Sequence, residues 1–134
     1  MAADADRVLV VRTDERVAAP AAQTPGMRRE QAIADEHRWV GAVRTEPDTL
    51  SGWHHHGDYD TYIYVVSGRI RIEFGPGGRE HAAAGADDFV HVPPRVVHRE
   101  GNPDLTEAHA VLVRVGSGPS LINVEGPVDV RDQG

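Results

Sequence analysis

The sequence predicts an all-β domain in which antiparallel strands form a sandwich or barrel. Short apolar runs recur along the 134 residues, and 14 glycines and 9 prolines fall between them. Residues 69–74 (RIRIEF) alternate strictly between charged and apolar side chains, as a half-buried strand does. No ten-residue stretch carries the apolar stripe of an amphipathic helix. A chain of this length suits one core, so residues 1–134 are predicted to be one domain with flexible residues 1–6.

The N-terminal part of the chain is predicted to contain two strands. Residues 7–12 (RVLVVR) have strand chemistry, and residues 17–26 form a loop punctuated by prolines. Residues 28–37 (RREQAIADEH) fit one helical turn or an extended edge strand, and the sequence leaves both open. Residues 37–45 (HRWVGAVRT) are predicted to be a strand that ends before Pro47.

The central and C-terminal parts are predicted to supply most of the sheet. Residues 61–66 (TYIYVV) are all β-branched or aromatic, which favours a strand. By alternation Thr61, Ile63 and Val65 share the interior face, so Tyr62 and Tyr64 serve packing or a subunit interface. The remaining predicted strands are residues 69–74, 79–84, 89–92, 96–99 and 108–115. The tail from Gly116 is expected to pack against the sheet or a second subunit.

Composition excludes several classes of function. The formal charge is −7 and the isoelectric point is near 5.5, so the chain would repel phosphate backbones and no nucleic-acid partner is expected. The absence of cysteine rules out disulfides, thiolate nucleophiles and cysteine-ligated zinc. No apolar run approaches the roughly 18 residues that span a bilayer, and none resembles a signal peptide. We therefore expect no membrane partner and a cytoplasmic location.

Three adjacent histidines suggest half of a metal site. In a strand, residues i and i+2 project to the same face about 6.5–7 Å apart, so His54 and His56 can converge on one ion while His55 points away. A third ligand must come from elsewhere, and His98, just after the turn at residues 93–95, is the best candidate. The alternative is a set of hydrated surface histidines, because a lone His-x-His is a weak signal.

The surrounding sequence resembles the cupin superfamily. His54-x-His56 followed by Thr61 and Gly68 is similar to the first cupin motif, in which a glutamate follows His-x-His and a glycine closes the motif. Residues 87–102 (DDFVHVPPRVVHREGN) resemble the second motif, with four residues in register: Asp88, Pro93, His98 and Asn102. The two motifs span residues 52–102. The resemblance implies a single cupin barrel, a double-stranded β-helix or jelly roll of two antiparallel sheets.

The first motif departs from the family pattern at its glutamate. Thr61 stands at that position, Asp60 lies one residue earlier at the shorter spacing, and Asp58 is a more distant candidate. The predicted metal ligands are therefore His54, His56 and His98, with either Asp60 or water completing the coordination. In the second motif Arg95 and Asp87 replace glycines, which affects the turns and leaves the ligand assignment intact.

Histidine ligation with open positions predicts substrate binding or catalysis. One divalent transition metal is expected, with Fe, Zn, Ni, Mn and Cu as candidates, and all-imidazole ligation suits Fe, Zn, Ni and Cu. The first hypothesis is an enzyme acting on a small organic molecule in an apolar pocket, as a dioxygenase-like oxygenase or as a metal-assisted isomerase, lyase or hydrolase. The alternative is a non-catalytic metal- or ligand-binding module, and a metal-free cupin of the sugar-epimerase type is disfavoured. The resemblance also implies a homodimer.

Trp39 and His91 are two further side chains near the predicted site. Trp39 is interpreted as a core residue, with lining of the pocket mouth as the alternative. His91 is interpreted as a satisfied strand histidine, with support of a metal ligand as the alternative.

Overall fold

Eleven short strands and two 3₁₀ turns make up the regular structure of the computed structural model, which describes residues 6–19 and 24–128. The first five strands are β1 (Val17–Ala18), β2 (Met27–Ala34), β3 (Arg38–Thr45), β4 (His54–His55) and β5 (Asp60–Ser67). The others are β6 (Arg69–Phe74), β7 (Glu80–Gly85), β8 (Phe89–Val92), β9 (Arg99–Gly101), β10 (Ala108–Val115) and β11 (Ile122–Asn123). The 3₁₀ turns are Thr13–Glu15 and Pro76–Gly78.

The strands form two antiparallel layers. The larger sheet has six strands in the order β1-β2-β3-β10-β5-β8. The other layer contains the sheet β7-β6-β9 and the pair β11-β4. Two isolated bridges, Leu50 to Gly101 and His54 to His98, join the chain around β4 to the chain around β9. The barrel of two antiparallel sheets that the sequence predicts is therefore confirmed.

The apolar core lies between the two layers. Alternation places Ile63 and Val65 of β5 on the inner face, opposite Ile70 and Ile72 of β6. Each such side chain stabilises the fold by about 1.5–3 kcal/mol when it leaves water. The remaining core residues are Met27, Val43, Ala84, Val92, Ala108, Ala110 and Leu112.

Gly68 lets β5 pass directly into β6. Its φ is +76°, in the left-handed region, and a Cβ there would lie 2.8 Å from the Cα of Ala108. Only glycine combines this backbone conformation with so close a neighbour. The glycine that closes the first motif therefore has a structural role.

The N-terminal predictions are partly wrong. Residues 7–12 do not form a strand, and Val8, Leu9 and Val10 are exposed. Whether a segment forms a strand depends on its tertiary surroundings. The local sequence shows which face would be buried, but it does not show whether the segment lies beside an unpaired sheet edge. β1 pairs with β2 at the edge of the larger sheet, so this short strand lies within the segment predicted to be a loop. Residues 1–5 of the predicted flexible end, and residues 20–23 of the loop, lie outside the described residues.

The open choice for residues 28–37 is settled in favour of a strand. β2 pairs with β3 over most of its length, with a register shift between Gln31 and Ile33. The predicted strands at residues 37–45, 61–66, 69–74, 79–84, 89–92 and 108–115 are present with ends shifted by two residues or fewer. The predicted strand at residues 96–99 is displaced, because β9 begins at Arg99.

The described part of the tail after β10, residues 116–128, packs on the same chain. β11 pairs with β4, so that Ile122 lies opposite His55 and Asn123 opposite His54. Of the two alternatives for the tail, the structure shows contact with the sheet. Among residues 6–19 and 24–128, no helix is long and apolar enough to cross a membrane.

Candidate metal centre

Backbone pairing brings the two distant parts of the site together. His54 and His98 form a bridge in which each amide donates to the other residue's carbonyl, at 2.9 Å and 2.8 Å. His56 follows β4 and lies on the same side as His54, because alternation reverses the intervening His55. His54 and His56 are each 4% exposed, His98 is 2% exposed, and His55 is half-buried. His54 and His56 therefore point into the barrel while His55 points away, as the predicted alternation requires.

The three imidazoles converge inside the barrel. Their potential ligand atoms all lie within 4.8 Å of one another. The ring centroids are 5.0 Å apart for His54 and His56, 4.4 Å for His54 and His98, and 5.1 Å for His56 and His98. The rings are inclined at 50–74° instead of stacked, so they approach a common point from different directions. One ion can contact all three.

Each ring is held in the tautomer that a metal requires. Nδ1 of His54 lies 2.8 Å from the Gly52 carbonyl oxygen, and Nδ1 of His98 lies 2.9 Å from that of Val96. Nδ1 of His56 lies 2.8 Å from the carbonyl oxygen of Ser120, in the tail. A carbonyl oxygen only accepts, so Nδ1 must carry the hydrogen and Nε2 keeps its lone pair. Carbonyl groups commonly orient metal-binding histidines in this way.

Electrostatics favour neutral rings. Burial, followed by the charge on His98, lowers the pKa of His54 below its usual value. Burial, with the nearby Arg114 guanidinium as the next cause, lowers the pKa of His56 to about 3. Both rings are therefore neutral at neutral pH, which is the form that binds a metal.

The structure does not bring Asp60 to this group. Its carboxylate accepts a hydrogen bond from Nε2 of His91, at 2.7 Å, with both side chains partly exposed. Asp58 is exposed and pairs with Arg95. Among the described residues the converging group contains three histidines and no carboxylate. The physical reason is strand alternation, since Thr61 takes the interior position and directs Asp60 outward.

Three charged residues in the interior were not predicted. Glu100 is buried two positions after His98, and its Oε1 lies 3.6 Å from Nη2 of Arg29. Burial acts to raise the pKa of Glu100, but nearby positive charge, that of Arg29 first, opposes it, and the pKa is lowered to about 2. Arg114 is 8% exposed at the end of β10. Glu100 shares the i, i+2 relation with His98 and could have been found from it.

The position of Arg114 also had a signal in the sequence. On β10 the buried residues alternate through Ala108, Ala110 and Leu112, and Arg114 is the next member of this series. A charged residue on a buried face is unusual. The guanidinium lies 5.1 Å from the ring centroid of Trp39, which is half-buried and packs against the core. Trp39 therefore packs against the apolar core on one side and contacts the charged Arg114 on the other.

The comparisons with known proteins identify the family. The family model described as Cupin domain matches residues 41–114, more than half of the chain. The chain belongs to the cupin family. A search of curated proteins found no significant match.

Solved structures share this cupin's fold. A conserved protein with a double-stranded β-helix domain from Klebsiella pneumoniae is 18% identical, with a TM-score of 0.70, and the match covers 89% of this chain and 99% of the other. A predicted oxalate decarboxylase from Thermotoga maritima is 16% identical, with a TM-score of 0.67 and coverage of 81% and 99%. The Bacillus subtilis oxalate decarboxylase, described with Mn(II) centres, is 17% identical, with a TM-score of 0.66 and coverage of 84% and 31%. At these identities the likeness shows the fold.

Two residues of the second cupin motif have structural roles here. The Asp88 carboxylate accepts a hydrogen bond from the Gly85 amide at 2.8 Å and closes the turn before β8. Asn102 is buried, and its Nδ2 donates to the carbonyls of Thr45 and Thr106 at 3.0 Å and 2.7 Å. These bonds fix the chain immediately after β9, the short strand that His98 directly precedes.

Proposed function

We propose that this cupin binds one divalent transition metal through Nε2 of His54, His56 and His98 and acts on a small organic molecule as an isomerase or lyase. The observation that carries the proposal is the set of three buried imidazoles whose Nδ1 atoms are all engaged by carbonyls. Imidazole ligands suit Fe, Zn, Ni and Cu.

The protein's part is to hold the ion and leave it accessible. Three protein ligands are fewer than a closed structural site provides, so positions remain for substrate. A bound divalent ion supplies Lewis-acid polarisation of a substrate oxygen. Because Asp60 pairs with His91, we assign no carboxylate ligand.

Glu100 is a charged group close to the histidines. Its buried carboxylate lies on the same side of the chain as His98, two residues away. Its ion pair with Arg29 offsets the cost of burying the charge. Because its pKa is about 2, Glu100 is a weak base, and its proposed part is to stabilise positive charge at the metal centre. The fold shared with oxalate decarboxylases is consistent with a lyase, and makes Mn(II) one of the metals to test first.

Metal analysis and a pair of assays test this proposal. Protein purified without a histidine tag should contain about one metal ion per chain by elemental analysis, and His98→Asn should lose it while His55→Asn keeps it. Metal-loaded protein is then incubated in D₂O with small hydroxy and keto acids, and exchange or rearrangement is followed by NMR. An oxygen electrode monitors the same mixtures.

The expected result is metal-dependent proton exchange or rearrangement without oxygen uptake. Oxygen uptake coupled to substrate loss would replace the isomerase or lyase with an oxygenase. Stoichiometric metal with bound but unchanged compounds would favour the non-catalytic binding module. A protein that folds and binds no added metal would refute the proposed metal site and, with it, the proposed function.

A further inference from the structure

Two buried donors in the barrel interior have no acceptor. Nε of Arg114 and Oγ1 of Thr61 are shielded from solvent, and neither has a hydrogen-bond partner among the described residues. Buried polar atoms are nearly always satisfied, and an unmatched charged donor is especially costly. Both atoms therefore indicate a ligand that accepts hydrogen bonds.

The two donors belong to one row across the larger sheet. Arg114 on β10 lies directly opposite Thr61 on β5 and, on its other side, opposite Trp39 on β3. Residues in register on antiparallel strands share a face with Cβ atoms about 5 Å apart. Arg114 and Thr61 are 8% and 1% exposed, so this face is the interior one. The Trp39 ring packs against the guanidinium, 5.1 Å from its centroid, and limits where the guanidinium can lie.

The buried guanidinium of Arg114 has no ion-pair partner among the described residues. Glu100 forms its ion pair with Arg29, and no carboxylate lies within ion-pair distance of Arg114 in the part of the chain that the structure describes. Burial lowers the pKa of Arg114 and the charge of Glu100 opposes this, so the pKa falls only to about 10 and Arg114 stays charged at neutral pH. A divalent ion at the histidines would add further positive charge. An anionic ligand would neutralise it in surroundings where charge interactions are strong.

We propose that Arg114 and Thr61 bind a carboxylate group of the substrate, which makes small carboxylic acids the substrate class of this site. The inference rests on the proposed function, because it assigns the substrate of the same metal centre. A guanidinium matches a carboxylate with two parallel hydrogen bonds, and a neighbouring hydroxyl can donate a third. Thr61 stands where the cupin motif carries a glutamate, so the chain offers a donor there and the anionic oxygen comes from the substrate.

The experiment follows the Arg114 Nε–H group directly by ¹⁵N–¹H NMR. Arg114→Lys identifies the signal by its loss. Metal-free and zinc-loaded protein are titrated with acetate, lactate and malonate, and with the matched neutral compounds acetamide, lactamide and malonamide. At least one carboxylate should shift the Arg114 signal in a saturable way, and its amide should not.

Two substitutions separate binding from folding. Arg114→Met should weaken binding of the responding carboxylate at least tenfold, and should leave the ligand-free protein as thermally stable as before or more so, because it removes an unpaired buried charge. Thr61→Val should weaken the same binding severalfold. Arg99→Met is the control, since Arg99 also stacks on a tryptophan, Trp53, but pairs with Glu73.

The outcomes distinguish this inference from the proposed function. A metal-binding triad with no carboxylate-selective shift of the Arg114 signal would overturn the inference and leave the metal centre standing. A selective shift in protein that binds no metal would support the anion site and refute the metal centre. Unchanged carboxylate affinity in both Arg114→Met and Arg114→Lys would also overturn the inference.

Discussion

Replacing His98 with asparagine should abolish metal-dependent stabilisation while leaving most of the fold in place. Asparagine keeps a polar atom near the position of Nδ1, which can still bond to the Val96 carbonyl, but it has no counterpart of Nε2. His55→Asn is the matched control, because His55 is half-buried, lies outside the converging group, and accepts through Nδ1 from the Gly57 amide at 3.1 Å. The comparison isolates the loss of one ligand atom.

The size of the effect follows from binding linkage. A free metal concentration 100 times the dissociation constant stabilises the native state by about 2.7 kcal/mol. For a domain of this size that corresponds to a rise in Tm of roughly 10 °C. If the loss of one imidazole weakens binding about 1,000-fold, the same metal concentration adds less than about 0.1 kcal/mol. The rise in Tm should then fall below about 1 °C.

The assay is differential scanning calorimetry with and without Zn²⁺ at fixed free concentration. The metal-dependent rise in Tm is compared between proteins, and not the Tm itself, because His98→Asn also perturbs a buried site. Wild type and His55→Asn should show the same rise. A full rise in His98→Asn, or a rise lost in His55→Asn, would refute the assignment of ligands.

Three further predictions concern the residues around the triad. Glu100→Gln should remove the buried ion pair with Arg29, cost about 3 kcal/mol in urea unfolding and, by removing a negative charge near the triad, reduce turnover while metal is retained. Metal-free protein should lose stability as pH falls from 6.5 towards 3, because the His56 pKa is about 3 in the folded state and about 6.5 when unfolded, so the unfolded chain binds more protons in this window. Gly57→Ala should destabilise by about 2 kcal/mol and weaken metal binding, whereas Gly118→Ala should cost less.

The glycine pair isolates a single contact. Gly57 has φ +55°, and a Cβ there would lie 2.5 Å from the Pro119 carbonyl oxygen, next to the Ser120 carbonyl that orients His56. Gly118 also has positive φ, at +82°, but a Cβ there would meet nothing within 4 Å. Equal effects of the two substitutions would show that the tail does not hold His56.

The other two predictions also have a contradicting result. Stability that is constant or rises between pH 6.5 and 3 would contradict the neutral state of the buried rings. Full turnover in Glu100→Gln would show that the charge of Glu100 is not needed for the reaction.

Strand alternation and the two cupin motifs were sufficient to predict which histidines meet. His54 and His56 share a face because strands repeat every two residues, and His98 followed from the spacing of the second motif. The same rule directs Asp60 outward and Thr61 inward. The sequence could not show, however, that Asp60 would pair with His91 on the neighbouring strand.

The features that sequence could not provide depend on long-range pairing. The Ser120 carbonyl reaches His56 from 64 residues away, through the pairing of β11 with β4. Residues 7–12 have good strand chemistry but no sheet edge to join. The charge at Arg114 was visible in the alternation of β10, but its lack of a partner is a property of the folded interior.

X-ray absorption spectroscopy of the zinc-loaded, tag-free protein can count the histidine ligands. We predict one zinc ion with three imidazole nitrogens at about 2.0–2.1 Å and oxygen from solvent or ligand in the remaining coordination. Two imidazoles or fewer, or a spectrum unchanged by His98→Asn, would contradict a metal centre built from His54, His56 and His98.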